Sequence, residues 1–193
     1  MTMTKNMKRL FWILPLVMVA ATVFGQRPGP PDPSLITVRV SRGAGPPAGR
    51  VSLPVSLTAA KAGGKLGMIE LDLTFPAAML AYTGAETAGL ADGVSAALKA
   101  EVKPDAKDPA TSHLFLSLST LDSSRAALPD GTLIYLLFQI SKDAKLKTLI
   151  PVGATGKALS TDNPPTAVAP ITVQGNSVEV SEAAIISCFF YMH

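Results

Sequence analysis

The sequence predicts an all-β fold, an antiparallel β-sandwich, on three observations. From Ile69 to Phe75 the apolar side chains Ile69, Leu71, Leu73 and Phe75 alternate without a break with Glu70, Asp72 and Thr74. Successive side chains of a strand leave the sheet on opposite faces, so strict alternation marks a strand with one face buried. Other short apolar segments repeat the pattern between turns, and 15 glycines and 16 prolines supply the punctuation. An apolar period of helical spacing is almost missing, which leaves stacked sheets to make the core. The Ile69–Phe75 strand sets the register of its neighbours. A slip of one residue would carry four apolar side chains into water and two carboxylates into the core.

At the amino terminus Lys5, Lys8 and Arg9 precede an apolar run from Leu10 to Ala21, and Val23 and Gly25 are small residues before a cleavage point. Residues 1–25 read as a secretory signal peptide cut before Gln26. A spanning helix needs roughly 20 apolar residues, more than this run offers, so no stable membrane insertion is expected after cleavage. The expected location is therefore secreted, periplasmic or cell-surface. The chain carries 17 basic and 14 acidic residues, a net charge of +3. Three of the basic residues leave with the signal, and the near-neutral remainder lacks the electrostatic footprint of a nucleic-acid binder. About 168 residues stay, enough for one domain with a sizeable core. Cys188 is the only cysteine, so no intrachain disulfide is available and burial with backbone pairing must hold the fold.

Residues 26–34 (QRPGPPDPS) place four prolines in nine positions and read as an extended linker. The domain then runs over residues 35–180. Ile36, Val38 and Val40 give a first strand, Ser41–Arg50 a turn, and Val51, Leu53, Val55 and Leu57 a second strand. Pro54 cannot donate to a ladder, which puts that strand at an edge or at a bulge. The Ala62-Gly63-Gly64 turn leads into the central strand, which Pro76 ends. Met79–Tyr82 begins another strand, Ala91–Ala100 suits a short helix weakened by Gly93, and Lys103–Thr111 is a polar, proline-broken loop.

Leu114, Leu116 and Leu118 alternate with Phe115, Ser117 and Ser119 in a further strand. Pro129-Asp130-Gly131 is a turn, since proline presets φ and glycine accepts a positive one. Leu133–Ile140 carries bulk on both faces: Ile134, Leu136, Phe138 and Ile140 on one, Leu133, Tyr135 and Leu137 on the other. Leu146–Val152, Ala154–Leu159, Ile171–Val173 and Ser177–Val180 complete the strands. The apolar tail 181–193 (SEAAIISCFFYMH) is too short to span a bilayer. An extra strand, a docking peptide and an irregular end are all open to it.

The segments VSLPVSL (Val51–Leu57), LGMIELDLTF (Leu66–Phe75), MLAY (Met79–Tyr82) followed by Gly89-Leu90, DGTLIYLLF (Asp130–Phe138) and VQGNSVEV (Val173–Val180) together resemble a cohesin domain. The likeness extends over nearly the whole segment after the linker and rests on a succession of strands and turns. It implies a jelly-roll sandwich of about nine strands, related in fold to cellulose-binding modules. It also implies a module that binds dockerins, which carry their own calcium, in polysaccharide-degrading assemblies. Two departures stand out. Phe75-Pro76-Ala77 replaces the usual Tyr-Asp-Pro turn, and Met68 and Glu70 stand where the family offers an asparagine and an aspartate. The acid is kept and the amide is lost.

Glu70 and Asp72 project from one strand face, roughly 7 Å apart at the backbone. A glycosidase pair lines a concave site and needs unlike environments to split its pKa values. A flat strand face supplies neither, which leaves a solvated or a binding role, and no enzymatic activity is expected. His113 has only His193 as a histidine partner, without zinc-ligand spacing. Asp105 with Asp108, and Asp162 with Asn163, fall short of the six to eight oxygens calcium takes and read as turn residues. No cofactor is expected beyond the calcium of a dockerin-like partner.

By analogy with cohesins the central strand pairs with the Leu114 and Leu133 strands. That places Met68, Glu70, Asp72, Thr74, Phe115, Ser117, Ser119, Tyr135 and Leu137 on one outer face, an apolar centre with an acidic and hydroxylic rim suited to a protein partner. A polysaccharide is the second partner class. It would stack on aromatic rings, of which only Phe115 and Tyr135 face outward. A structural subunit of an envelope or secretion assembly is the third reading.

Overall fold

Alternation in sequence becomes alternation in burial. In a computed structural model, which describes residues 36–59, 65–168 and 170–182, the strand β4 (Leu66–Pro76) buries Ile69, Leu71, Leu73 and Phe75 and leaves Met68, Glu70, Asp72 and Thr74 half-exposed. The other elements are β1 (Ile36–Val40), β2 (Gly43–Gly45), β3 (Arg50–Thr58), β5 (Leu80–Thr87), α1 (Gly89–Gly93), β6 (Ala97–Pro104), β7 (Thr111–Ser119), β8 (Gly131–Ile140), β9 (Leu149–Ser160), β10 (Ala167–Val168), β11 (Ile171–Gln174) and β12 (Asn176–Val180). Nine of these strands have five residues or more, as the sequence leads one to expect; β2, β10 and β11 are short additions. The expected signal peptide 1–25, the expected linker 26–34, the expected Ala62-Gly63-Gly64 turn and most of the tail, with Cys188, lie outside the described residues.

Two sheets stack into the expected sandwich. One has the order β11-β1-β3-β8-β5, the other β2-β12-β9-β4-β7-β6 with β10 paired to β9. The long ladders are antiparallel, whereas β1 with β11 and β2 with β12 run parallel. The sheets meet through Leu53, Leu57, Leu136 and Phe138 from the first and Ile69, Leu73, Leu114 and Leu118 from the second, all nearly inaccessible. Phe138 of β8 packs edge-to-face on Phe75 of β4. Burying a side chain of this size contributes about 1.5–3 kcal/mol, so each interlayer contact of this kind stabilises the sandwich.

Several expectations are corrected. The helix expected over Ala91–Ala100 stops at Gly93, and the chain from Ala97 instead forms β6, in register with β7 along its whole length. A strand signal was present, since Leu98, Ala100 and Val102 alternate with Lys99, Glu101 and Lys103. Sheet pairing outweighs the weak helix propensity around Gly93. The expected Lys103–Thr111 loop is accordingly shorter, and Leu146–Val152 and Ala154–Leu159 fuse into the single strand β9. Pro54 lies in an inner strand, so the edge alternative fails, while the bulge alternative holds: the β3–β8 register shifts between Val55 and Ser56, one residue on. The Pro54 carbonyl accepts from Ser41 N at 2.8 Å where β1 runs out, so its missing N–H falls where that ladder ends. The Pro129–Gly131 turn has the expected positive φ at Gly131, +119°.

The correction that matters most for function concerns β8. It pairs with β3 and β5 and belongs to the sheet opposite β4. Tyr135 and Leu137, though half-exposed, therefore open onto the other surface of the sandwich, away from Glu70 and Phe115.

Candidate functional site

The outer face of β9, β4, β7 and β6 is a lattice of four cross-strand rows. Register aligns Leu159, Met68, Ser119 and Ala97 in the first row and Lys157, Glu70, Ser117 and Lys99 in the second. Thr155, Asp72, Phe115 and Glu101 form the third, and Gly153, Thr74, His113 and Lys103 the fourth. Directly opposed side chains in such a sheet lie close enough to pair. Seven of the nine residues expected from the sequence share this face. Tyr135 and Leu137 do not; they flank Pro54, Ser52 and Glu86 on the opposite surface.

The carboxylates are individually engaged. Glu70 Oε2 meets Lys157 Nζ at 2.5 Å, and Asp72 Oδ1 meets His113 Nδ1 at 2.8 Å. The other ring nitrogen, Nε2, lies 3.0 Å from Asp105 Oδ2. Asp105 spends its second oxygen on the turn after β6, accepting from the backbone N–H of Lys107 at 2.7 Å and of Asp108 at 3.3 Å. Asp108 in turn accepts from Ala110 N and Thr111 Oγ1. Both acids thus serve as turn residues, as the sequence suggests. Asp162 likewise accepts from Ser160 Oγ at 2.9 Å. Among the described residues no group of three or more His, Cys, Asp or Glu is placed to hold a metal ion.

At the centre stands Phe115, a residue 40 % exposed on a strand flanked by neighbours on both sides. His113 stacks against it, ring centroids 5.8 Å apart and planes 13° from parallel, and Lys103 Nζ hangs over it at 5.7 Å while pairing with Glu101 at 3.0 Å. A shallow groove beside the ring is lined by Glu70, Lys99, Glu101 and Ser117. Ser119 belongs to the end of the face, where its Oγ accepts from Leu121 N in the next turn.

Hydrogen bonds to Asp105 and then Asp72 hold the His113 imidazole above the ordinary histidine pKa. The turn N–H of Lys107, with help from His113 and Asp108, lowers the Asp105 carboxyl. Sequence reasoning missed the part His113 plays because its two partners lie 41 and 8 residues away. It also missed Lys99, Glu101 and Lys103, whose alternation was legible. Chemically the face offers an exposed ring, a mixed-charge rim and a flat outline.

Compared with known proteins, residues 36–180 match a family model described as Cohesin domain. The third ScaC cohesin of Acetivibrio cellulolyticus, solved in complex with the ScaB dockerin, superposes with a TM-score of 0.61 at 14% identity, covering 76% of this chain and 99% of that one. An OlpA cohesin of Clostridium thermocellum in a dockerin complex gives 0.57 at 16% identity, with 76% and 99% covered. A non-cellulosomal cohesin of the archaeon Archaeoglobus fulgidus gives 0.57 at 13%, with 77% and 92% covered. A search of curated protein sequences finds no match.

Proposed function

Since this chain belongs to the cohesin family, we propose that it is a non-catalytic module that binds a dockerin-like protein on the outer face of β9, β4, β7 and β6. The observation that carries this reading is the exposure of Phe115 inside a ring of paired charges, a hot-spot aromatic with a polar rim. Two of the similar structures were solved with dockerins bound, which supports a protein partner of that class. Any calcium belongs to the partner. The basic and apolar pattern of residues 1–25 supports export of the module, and its likeness to cohesins supports a part in polysaccharide breakdown.

Two rival readings lose support. A carbohydrate platform needs Phe115 and Tyr135 side by side, and they lie on opposite sheets. Catalysis by Glu70 and Asp72 needs a concave site that divides their proton affinities, whereas each carboxylate has its own cationic or imidazole partner on a flat face. Capture of partners from the native secretome, with and without a calcium chelator, tests the proposal. A dockerin-bearing protein retained only with calcium supports it. Retention on cellulose with no protein partner overturns it.

A further inference from the structure

His113 touches two carboxylates at once, with Nδ1 on Asp72 and Nε2 on Asp105. A neutral imidazole has one N–H and one lone pair, so it can donate to only one of them; the imidazolium donates to both. The two acids are not equally anchored. Asp105 is fixed by two turn amides, whereas Asp72 has no other side-chain hydrogen bond among the described residues. Loss of the proton therefore frees Asp72, the acid on the central strand of the docking face, and keeps Asp105.

We propose that His113 is a proton-operated clamp on Asp72, closed when the ring is charged and open when it is neutral, so that a partner donating hydrogen bonds to Asp72 docks more tightly as pH rises. The proposal rests on the docking reading above and adds its regulation. The groups that face the ring agree with it. β4 contributes Asp72, β6 contributes Lys103 already paired to Glu101, and the turn contributes Asp105, Asp108 and Lys107. The neighbouring β9 residues, Gly153 and Thr155, do not titrate, and Lys157 is held by Glu70. The charged ring is thus balanced mainly by the two acids it touches. Its two acid partners raise the proton affinity of His113, a side chain whose unperturbed transition already falls within about pH 5 to 8.

Ring-nitrogen and Asp72 carboxyl NMR shifts of the purified chain, followed between about pH 5 and 8, test the clamp without any partner. The expected result is one transition seen by both groups, with the neutral ring keeping its proton on Nε2 and the transition moving down in Asp72→Asn and in Asp105→Asn. A neutral ring protonated on Nδ1, or an Asp72 signal that ignores His113, overturns the proposal. Binding is then titrated with a calcium-loaded dockerin module from the capture experiment. Affinity should fall up to about tenfold per pH unit below the His113 transition, and His113→Gln should flatten that dependence. Equal affinity across the range, or a slope that survives in His113→Gln, refutes the coupling. A failure of every dockerin module at every pH strikes the docking reading, while the NMR result still decides the clamp.

Discussion

The Phe75 and Phe138 rings meet edge to face, centroids 5.2 Å apart and planes 79° apart, across the boundary between the two sheets. Tyr82 adds a second edge contact to Phe138 at 5.8 Å. The central strand of the proposed docking face is thereby seated on an inner strand of the opposite layer. Phe138→Ala is expected to cost about 3–5 kcal/mol, the usual range for a fully buried phenylalanine. Urea denaturation measures it, and a loss under about 1 kcal/mol would show that these rings do not tie the layers together.

Phe115→Ala should behave in the opposite way. The ring is exposed, so stability should change by no more than about 0.5 kcal/mol. Dockerin affinity should drop by about 2 kcal/mol or more, as for a central interface aromatic. Leu137→Asp, on the opposite surface, should leave that affinity unchanged. Calorimetric titration of both variants separates the faces, and the reverse pattern would move the docking site to the β3, β8 and β5 sheet.

Glu70 and Lys157 form a close but solvent-washed pair, with side chains 34% and 69% exposed. A double-mutant cycle to Gln and Met should give a coupling of about 0–1 kcal/mol. Glu70→Lys, which sets like charges opposite each other, should fold and yet fail to bind the partner. A coupling well above that range would make the pair a stabilising element.

The pH dependence of stability follows from the His113 bridge. The raised pKa of folded His113 means its contribution is fully present below the unfolded value and is lost as pH rises through the folded one. The lowered pKa of Asp105 means its contribution is present above the unfolded value and is lost as pH falls through the folded one. The bridge is thus strongest in mildly acidic solution. Tm should decline slightly from about pH 6 to 8 in the native chain and stay level in His113→Gln. A Tm that climbs over that interval contradicts the bridge.

Gly156 lets β9 lie close against β4. A Cβ there would fall 2.5 Å from the Glu70 carbonyl oxygen and 2.8 Å from Leu71 Cδ2. Gly156→Ala should cost about 1–3 kcal/mol by forcing the strands apart. Thermal unfolding checks it, and an unchanged midpoint would mean that the ladder gives way freely.

Strand identity and facing were legible residue by residue. Ile69, Leu71, Leu73 and Phe75 had to turn inward and Glu70, Asp72 and Thr74 outward, because side-chain direction along a strand has a period of two and needs no knowledge of neighbours. Even the missed β6 carried its signal in Leu98, Ala100 and Val102. What tertiary structure alone decided was which strand lies beside which. Backbone donors and acceptors are the same on every strand, so alternation divides the side chains of β8 between two faces and says nothing about which sheet it joins. That choice sent Tyr135 and Leu137 to the far surface. The antiparallel register of β7 on β4, set by long-range core packing, brought His113 onto Asp72 across 41 residues of chain.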